Sequence, residues 1–160
     1  CGLANTIPHR PKQVRMTKID FYILPHESSE QRHLFACRLA DKAFKLGNEI
    51  YVHSSDSAQA NTLNELLWTW KHSSFIPHQI DGESNDQQQV HIGYGRDKTL
   101  SGQHNGLLIN LSDHVPEFFS RFERVSEIVV QDSAVTDSTR ANYRFYRDRG
   151  YQLETHDLRR

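Results

Sequence analysis

The stretch KIDFYILPHESSEQRHLFACRLADKAFKLG, residues 18–47, carries a strand signal and a helix signal in immediate succession. Residues 18–24 have the length and the mostly apolar character of a buried strand, with an apolar run over residues 21–24, and a proline follows them. Ser28 is followed three residues later by Gln31, and this capping-box spacing predicts the start of a helix. Gly47 comes directly after the last apolar position of that helix and predicts its end.

The same alternation continues along the chain. Further strands are predicted over residues 49–53, 90–93, 107–111, 127–130 and 152–158. Further helices are predicted to begin at Asp56, with Leu63, Leu66, Leu67 and Trp70 on one apolar face, and to cover residues 113–122 and 136–149. Strands that alternate with helices predict an α/β fold with a mostly parallel central sheet and helices on both faces.

Length and composition restrict the class of protein. A chain of 160 residues predicts one domain, which we place at residues 16–160. No apolar run approaches the roughly 20 residues that cross a bilayer, so an integral membrane protein is excluded. Two cysteines are too few for a disulfide scaffold, and a reducing compartment fits best, which predicts a cytoplasmic protein.

The first fifteen residues differ from the rest. They contain three basic residues and no acid, and subtracting this +3 from the net charge of −1 leaves −4 for residues 16–160. We interpret residues 1–15 as a disordered tail appended by cloning or upstream translation; the alternative is a basic arm that contacts phosphate. An acidic domain argues against a general nucleic-acid binder.

Residues for nucleotide or metal chemistry are not apparent. The loop after the first strand, residues 25–29, has no glycine or lysine, and Glu27 would repel phosphate. The Gly93-Tyr94-Gly95 sequence is best interpreted as a turn. The ten histidines show no metal-ligand spacing, and Cys37 lies among the core positions of a helix. We therefore predict a mononucleotide-binding-like topology without a phosphate loop, with no catalytic residue, metal or cofactor.

Aromatic residues near the second helix form the first candidate docking surface. Trp68 lies about 140° from the apolar stripe of that helix. Phe75 and Pro77 then interrupt a polar segment. Exposed aromatic residues are enriched in protein interfaces, which predicts a docking patch for an apolar helix or peptide. The alternative is a wide core that encloses both indoles.

The last helix carries the second candidate surface. Arg140, Tyr143, Arg144 and Arg147 have the spacing i, i+3, i+4, i+7 and share one helix face. Guanidinium groups bind carboxylates in a bidentate manner, so this face predicts a site for an acidic peptide with a free carboxylate. The Tyr143 ring and nearby Val129 would contact its apolar side chain. The alternative is a solvated face near the helix dipole.

The sequence resembles the chi subunit of bacterial DNA polymerase III, an accessory protein of the clamp loader. The resemblance runs from about residue 16 to 155. It is carried by DFYIL at 20–24, LNELLWTWKHSSFIPHQ at 63–79, GLLINLSDHVPEFFSRFERVSEIV at 106–129 and RANYRFYRDRGYQLE at 140–154. It implies an α/β domain without a phosphate loop and without enzymatic activity.

The resemblance also implies two partners. One is the psi subunit, bound as a 1:1 heterodimer through Trp68, Phe75 and Pro77, which connects the chain to the clamp loader. The other is the acidic C-terminal tail of single-stranded DNA-binding protein, received by Val129, Arg140, Tyr143, Arg144 and Arg147. Thr136 stands where the family has a lysine, which predicts weaker or rearranged tail binding.

Other functions stay open at this point. A nucleotide or phosphate hydrolase on the same fold is the enzymatic alternative. A weak direct single-stranded DNA binder is the other, although contact with DNA is expected to be weak or indirect.

Overall fold

A computed structural model describes residues 17–69, 78–80, 90–95 and 106–159. The tail predicted at residues 1–15 lies outside this part of the chain. So do Trp70, Phe75, Pro77 and the side chain of Trp68, and the predicted psi-binding patch therefore stays a prediction from sequence. Among the described residues, no helix combines the length and the apolar character that a bilayer span needs.

Strands and helices alternate along the described chain. The strands are β1 (Lys18–Ile23), β2 (Ile50–Ser54), β3 (His78–Ile80), β4 (Val90–Tyr94), β5 (Leu107–Asn110), β6 (Arg124–Val129) and β7 (Gln152–Asp157). The helices are α1 (Ser29–Lys45), α2 (Ser57–Thr69) and α3 (Ser133–Asp148), with a 3-10 turn at Phe119–Arg121.

The strands form one sheet in the order β3-β4-β2-β5-β6-β1-β7, and every neighbouring pair is parallel. The predicted α/β fold with a mostly parallel sheet is confirmed. After β2 the chain extends the sheet in one direction, and with β5 it returns to the other side of β2. Such a reversal is the feature that mononucleotide-binding folds share.

The core has two layers, one on each face of the sheet. Helices α1 and α2 pack on one face, through Cys37 and Leu63 among others, against Val52 and Ile128. On the other face, an aromatic layer that includes Tyr146 of α3 packs against β1, β5 and β6. The prediction of helices on both faces is therefore confirmed. Burial raises the pKa of the Cys37 thiol to about 12.

Side-chain caps fix the helix starts that the sequence predicts. Ser28 accepts a hydrogen bond of 3.3 Å from the backbone N–H of Gln31. Asp56 accepts one of 2.9 Å from the N–H of Gln59, whose side-chain oxygen in turn accepts one of 2.8 Å from the N–H of Ser55. Each cap satisfies donors that the first helical turn leaves unpaired.

The helix predicted over residues 113–122 is wrong, because only the 3-10 turn Phe119–Arg121 forms there. The amide of Asn110 and the hydroxyl of Ser112 both donate to the carbonyl of His114, at 2.9 and 2.8 Å. Side-chain bonds of this kind compete with a helical hydrogen-bond ladder. The aromatic residues of this segment also pack against different elements. Phe118 contacts Tyr51 on β2, whereas Phe119 contacts Tyr146 on α3.

Two smaller expectations also change. No strand was predicted at the position of β3, because three residues give too little pattern to recognise. The strand predicted over residues 90–93 is confirmed and includes one residue more, because Tyr94 belongs to β4 rather than to the predicted turn. A Cβ at Gly93 would lie 1.7 Å from the Tyr51 hydroxyl, so the strand needs glycine to accommodate that ring.

Candidate functional site

Helix α3 is the element that positions the predicted tail-binding residues. It begins after Asp132, which accepts a hydrogen bond of 3.3 Å from the N–H of Val135. Thr139, Asn142 and Tyr146 are buried on the side that faces the sheet. The arginines of the predicted surface lie on the exposed side of the same helix.

A buried carboxylate fixes α3 to the sheet. Glu127 on β6 is fully enclosed and accepts three hydrogen bonds: from the Asn110 amide (2.8 Å), the Asn142 amide (3.3 Å) and the Tyr146 hydroxyl (2.7 Å). Burial raises the pKa of Glu127, and these bonds counteract the rise because they stabilise the charged form. Two of the three donors lie on α3, so the carboxylate sets the position of the helix.

A cavity of about 240 Å³, open to solvent on one side, lies beside α3, between this helix and strands β1, β6 and β7. Its apolar surface comes from Phe21, Ile23, Val129 and Tyr143. The rings of Phe21 and Tyr143 meet edge to face with centroids 5.2 Å apart, which holds the tyrosine against the sheet. Gln131, Thr136, Thr139, Arg140, Thr155 and Arg159 add polar groups. The cavity thus combines an apolar surface with two guanidinium groups.

Three of the five predicted tail-binding residues line this cavity, namely Val129, Arg140 and Tyr143. Arg144 and Arg147 are exposed on α3 and are not among the lining residues. Arg147 forms an ion pair of 3.2 Å with Asp148. Within the described part of the chain, neither Arg140 nor Arg144 forms an ion pair, so both cations are available to an external anion.

Other lining residues were not expected from the sequence. Phe21 and Ile23 come from β1, and the pairing of Ile23 with Val129 places both on the same face of the sheet. Side chains alternate between the two faces of a sheet along each strand, so the sequence would have revealed this pair if the order of β1 and β6 had been known. Arg159 follows the last strand, and no local pattern connects it with α3. Thr136 also lines the cavity. The resemblance stated above implies that the family has a lysine at this position.

In folds of this topology, phosphate sites lie at the carboxyl edge of the sheet. In the described part of this chain, the residues at that edge are not arranged to bind a phosphate. Arg32 is buried there and donates to the carbonyls of Ile128 (2.8 Å) and Leu111 (3.2 Å). Burial lowers the pKa of this guanidinium. Asp56 and Asp113 line the same cleft. Because helix N-termini at this edge are capped by the chain's own side chains and acids line the cleft, a phosphate would meet little attraction.

One group of side chains in the described residues has metal-ligand chemistry. Asp20, Glu154 and His156 offer atoms within 4.8 Å of one another. Asp20 is paired with Arg124 at 2.9 Å and with His156 at 3.1 Å, and Lys18 contacts Glu154 at 2.8 Å. The hydrogen bond from Lys18 lowers the pKa of Glu154. The adjacent cations already neutralise both carboxylates, so the group is explained as an ion-pair network.

The fold and its clefts define a parallel α/β domain of mononucleotide-binding topology, and no phosphate loop follows a strand in the part of the chain that the structure describes. Comparison with known proteins narrows this class. Residues 16–154 match the family described as DNA polymerase III chi subunit, HolC, and the chain belongs to that family.

Curated relatives agree with this assignment. The chain is 40% identical over 145 residues to DNA polymerase III subunit chi of Pseudomonas aeruginosa, covering 91% of this chain and 99% of the relative. It is 29% identical over 139 residues to that of Haemophilus influenzae, covering 86% and 95%. It is 26% identical over 145 residues to that of Escherichia coli, covering 88% and 97%. The resemblance stated from the sequence is confirmed.

Proposed function

We propose that this chain is a non-catalytic accessory subunit of DNA polymerase III that acts in the cytoplasm during DNA replication. It joins the psi subunit, and through psi the clamp loader, to the C-terminal tail of single-stranded DNA-binding protein. The role requires no cofactor and only indirect or weak contact with DNA. The single domain at residues 16–160 carries both contacts.

The cavity beside α3 supports the tail contact. Arg140 offers a bidentate partner to a carboxylate, and charge-assisted hydrogen bonds contribute about 1.5–3 kcal/mol each. Phe21, Val129 and Tyr143 offer an apolar surface to the side chain that precedes or bears the carboxylate. An acidic peptide with an apolar end fits this combination of groups better than a phosphate or a nucleotide does.

Arg144 and Arg147 contribute less directly. Both are exposed on α3 near the cavity, where a positive potential attracts an acidic chain before it docks. Arg147 acts more weakly because Asp148 already neutralises its charge. The tail's final residues then contact the cavity, while its more distant acids lie along the helix.

The psi contact rests on the sequence and on family membership. Trp68, Phe75 and Pro77 provide the aromatic and apolar side chains that a helix or peptide of psi would cover. Simultaneous binding at both surfaces raises the effective concentration of the clamp loader at DNA coated by the binding protein. The mechanism is therefore tethering, without a chemical step on this chain.

Calorimetry with a synthetic peptide of the binding protein's acidic C-terminal residues tests the tail contact. Arg140→Ala should weaken binding by at least about 1 kcal/mol, which is about fivefold in dissociation constant. Arg38→Ala is the matched control, because it removes an exposed arginine from α1 on the opposite face of the sheet. Equal affinities of the Arg140 variant and wild type would refute the proposal.

A pull-down with psi tests the other contact. Trp68→Ala should lose psi and retain the tail peptide, because the proposal assigns the two partners to different surfaces. Loss of both partners by a variant with unchanged thermal unfolding would contradict two independent sites.

The alternative functions are examined with the same protein. A nucleotide or phosphate hydrolase predicts that a nucleotide raises the melting temperature. A direct single-stranded DNA binder predicts affinity for bare DNA that falls steeply with salt. The proposed tethering role predicts neither result.

A further inference from the structure

We propose that Arg159 is the second carboxylate-binding cation of the cavity beside α3. Before an acidic peptide binds, the guanidinium of Arg159 is paired with the carboxylate of Asp157, and the peptide's carboxylate replaces that of Asp157. This inference rests on the proposed function, since it names a further partner residue within the same site. The two residues follow β7, on a segment that the sequence analysis did not connect with α3.

Arg159 reaches the cavity from a fixed backbone. The N–H of Leu158 donates a hydrogen bond of 2.8 Å to the carbonyl of Ile23, which ties the chain after β7 to the end of β1. Arg159 lines the same cavity as Arg140, but from a different element. A carboxylate in the cavity can therefore contact cations from two walls. Thr136 and Thr139, the lining residues that precede Arg140 on α3, are neutral and supply no such charge.

The guanidinium of Arg159 is held in a fork by its neighbour. Nε donates to Oδ1 of Asp157 at 2.8 Å, and Nη2 donates to Oδ2 at 2.6 Å. The backbone N–H of Arg159 also donates to Oδ1 at 3.1 Å. This is the bidentate geometry that an external carboxylate would adopt. Asp157 thus occupies the place that we assign to a carboxylate of the peptide.

Exchange of one carboxylate for another is feasible here. Both side chains are about half exposed, at 50% and 48%, and exposed ion pairs contribute little to stability. A peptide carboxylate that contacts both Arg159 and Arg140 gains two cationic partners. The displaced Asp157 carboxylate returns to water. Before displacement, the negative charge of Asp157 repels acidic ligands. The Asp157–Arg159 pair therefore makes the cavity selective for a ligand that contacts both Arg140 and Arg159.

Calorimetry on the full chain with the acidic C-terminal peptide tests the assignment. Arg159→Ala should weaken binding about five- to tenfold, whereas Arg38→Ala should change it less than about twofold. Asp157→Asn should tighten binding about two- to fivefold, because the occupying carboxylate is gone. In the double variant the gain from Asp157→Asn should disappear. Thermal unfolding of each variant checks that the fold is retained.

The outcomes separate this inference from the proposed function. If Arg159→Ala binds like Arg38→Ala while Arg140→Ala is weakened, the assignment of Arg159 is wrong and the tail site stands. If Arg140→Ala also binds like wild type, the tail site itself is wrong. Affinity of Asp157→Asn equal to or below wild type overturns the exchange of carboxylates.

Discussion

The hydroxyl of Tyr146 donates a hydrogen bond of 2.7 Å to Oε2 of Glu127, and both side chains are completely enclosed. This bond joins the second half of α3 to the centre of β6. Tyr143 and Arg140 lie one and two turns earlier on the same helix, so their position relative to the sheet depends on it. A buried contact without any exposed atom therefore supports the surface that we assign to the partner.

Removal of this hydroxyl should destabilise the domain. Tyr146→Phe keeps the ring contacts with Phe119 but leaves Glu127 with one donor fewer in a buried place. We expect the free energy of unfolding, measured with urea, to fall by about 1–3 kcal/mol. Tyr151→Phe is the control, because that ring also contacts Phe119 and is only partly buried. A loss no greater than that of the control would contradict the role of the bond.

His33 should make stability depend on pH. Burial, and then the charge of Arg32, lower the pKa of this histidine below its unfolded value of about 6.5. As pH falls below that value, the unfolded chain takes up the proton first. The contribution of neutral His33 to the free energy of unfolding is therefore complete above about pH 6.5. It is lost as pH falls through the folded pKa of the histidine.

Urea unfolding at about pH 7.5 and about pH 5.5 measures this effect. Nε2 of the neutral His33 ring lies 3.1 Å from the side-chain nitrogen of Gln59 and can accept a hydrogen bond from it. His33→Gln removes the titrating group, so the difference between the two pH values should shrink relative to wild type. An unchanged difference would show that other groups control the acid sensitivity.

Gly106 should tolerate no side chain. A Cβ there would lie 2.0 Å from the backbone carbonyl oxygen of Glu49, which accepts a hydrogen bond of 2.8 Å from the N–H of Leu107. The backbone must move to admit a methyl group, so Gly106→Ala should cost about 1–3 kcal/mol of unfolding free energy. Glu123→Ala, an exposed substitution nearby, should cost less than about 0.5 kcal/mol. Equal melting temperatures for the two variants would contradict the close approach.

Local signals allowed much of the fold to be predicted. Ser28 and Asp56 cap their helices because capping depends on residues only three apart. The aromatic segment before β6 was mispredicted, because Asn110 and Ser112 compete for the backbone there. These bonds depend on tertiary placement, which a helical pattern does not contain.

The candidate site was predictable only in part for a similar reason. Arg140 and Tyr143 share a helix face, and helical spacing reveals such a pair. Phe21 and Arg159 reach the same cavity through the neighbouring positions of β1, β6 and β7 in the sheet. Strand order is a long-range property, so no stretch of sequence by itself places these residues beside α3.

The ring of Tyr143 should matter to tail binding more than its hydroxyl. Its ring lines the cavity and contacts Phe21, and no hydrogen bond of the hydroxyl forms among the described residues. Tyr143→Phe should therefore bind the acidic C-terminal peptide within about twofold of wild type. Tyr143→Ala should weaken binding about tenfold, because it removes an aromatic wall from the apolar surface.

Calorimetry at two salt concentrations distinguishes this apolar contribution from that of the arginines. The loss from Tyr143→Ala should persist at high salt, where the loss from Arg140→Ala shrinks because screening weakens exposed charges. If Tyr143→Phe weakened binding as much as Tyr143→Ala, the hydroxyl would be the contact. The ligand would then lie across the rim of the cavity instead of against the Phe21–Tyr143 pair.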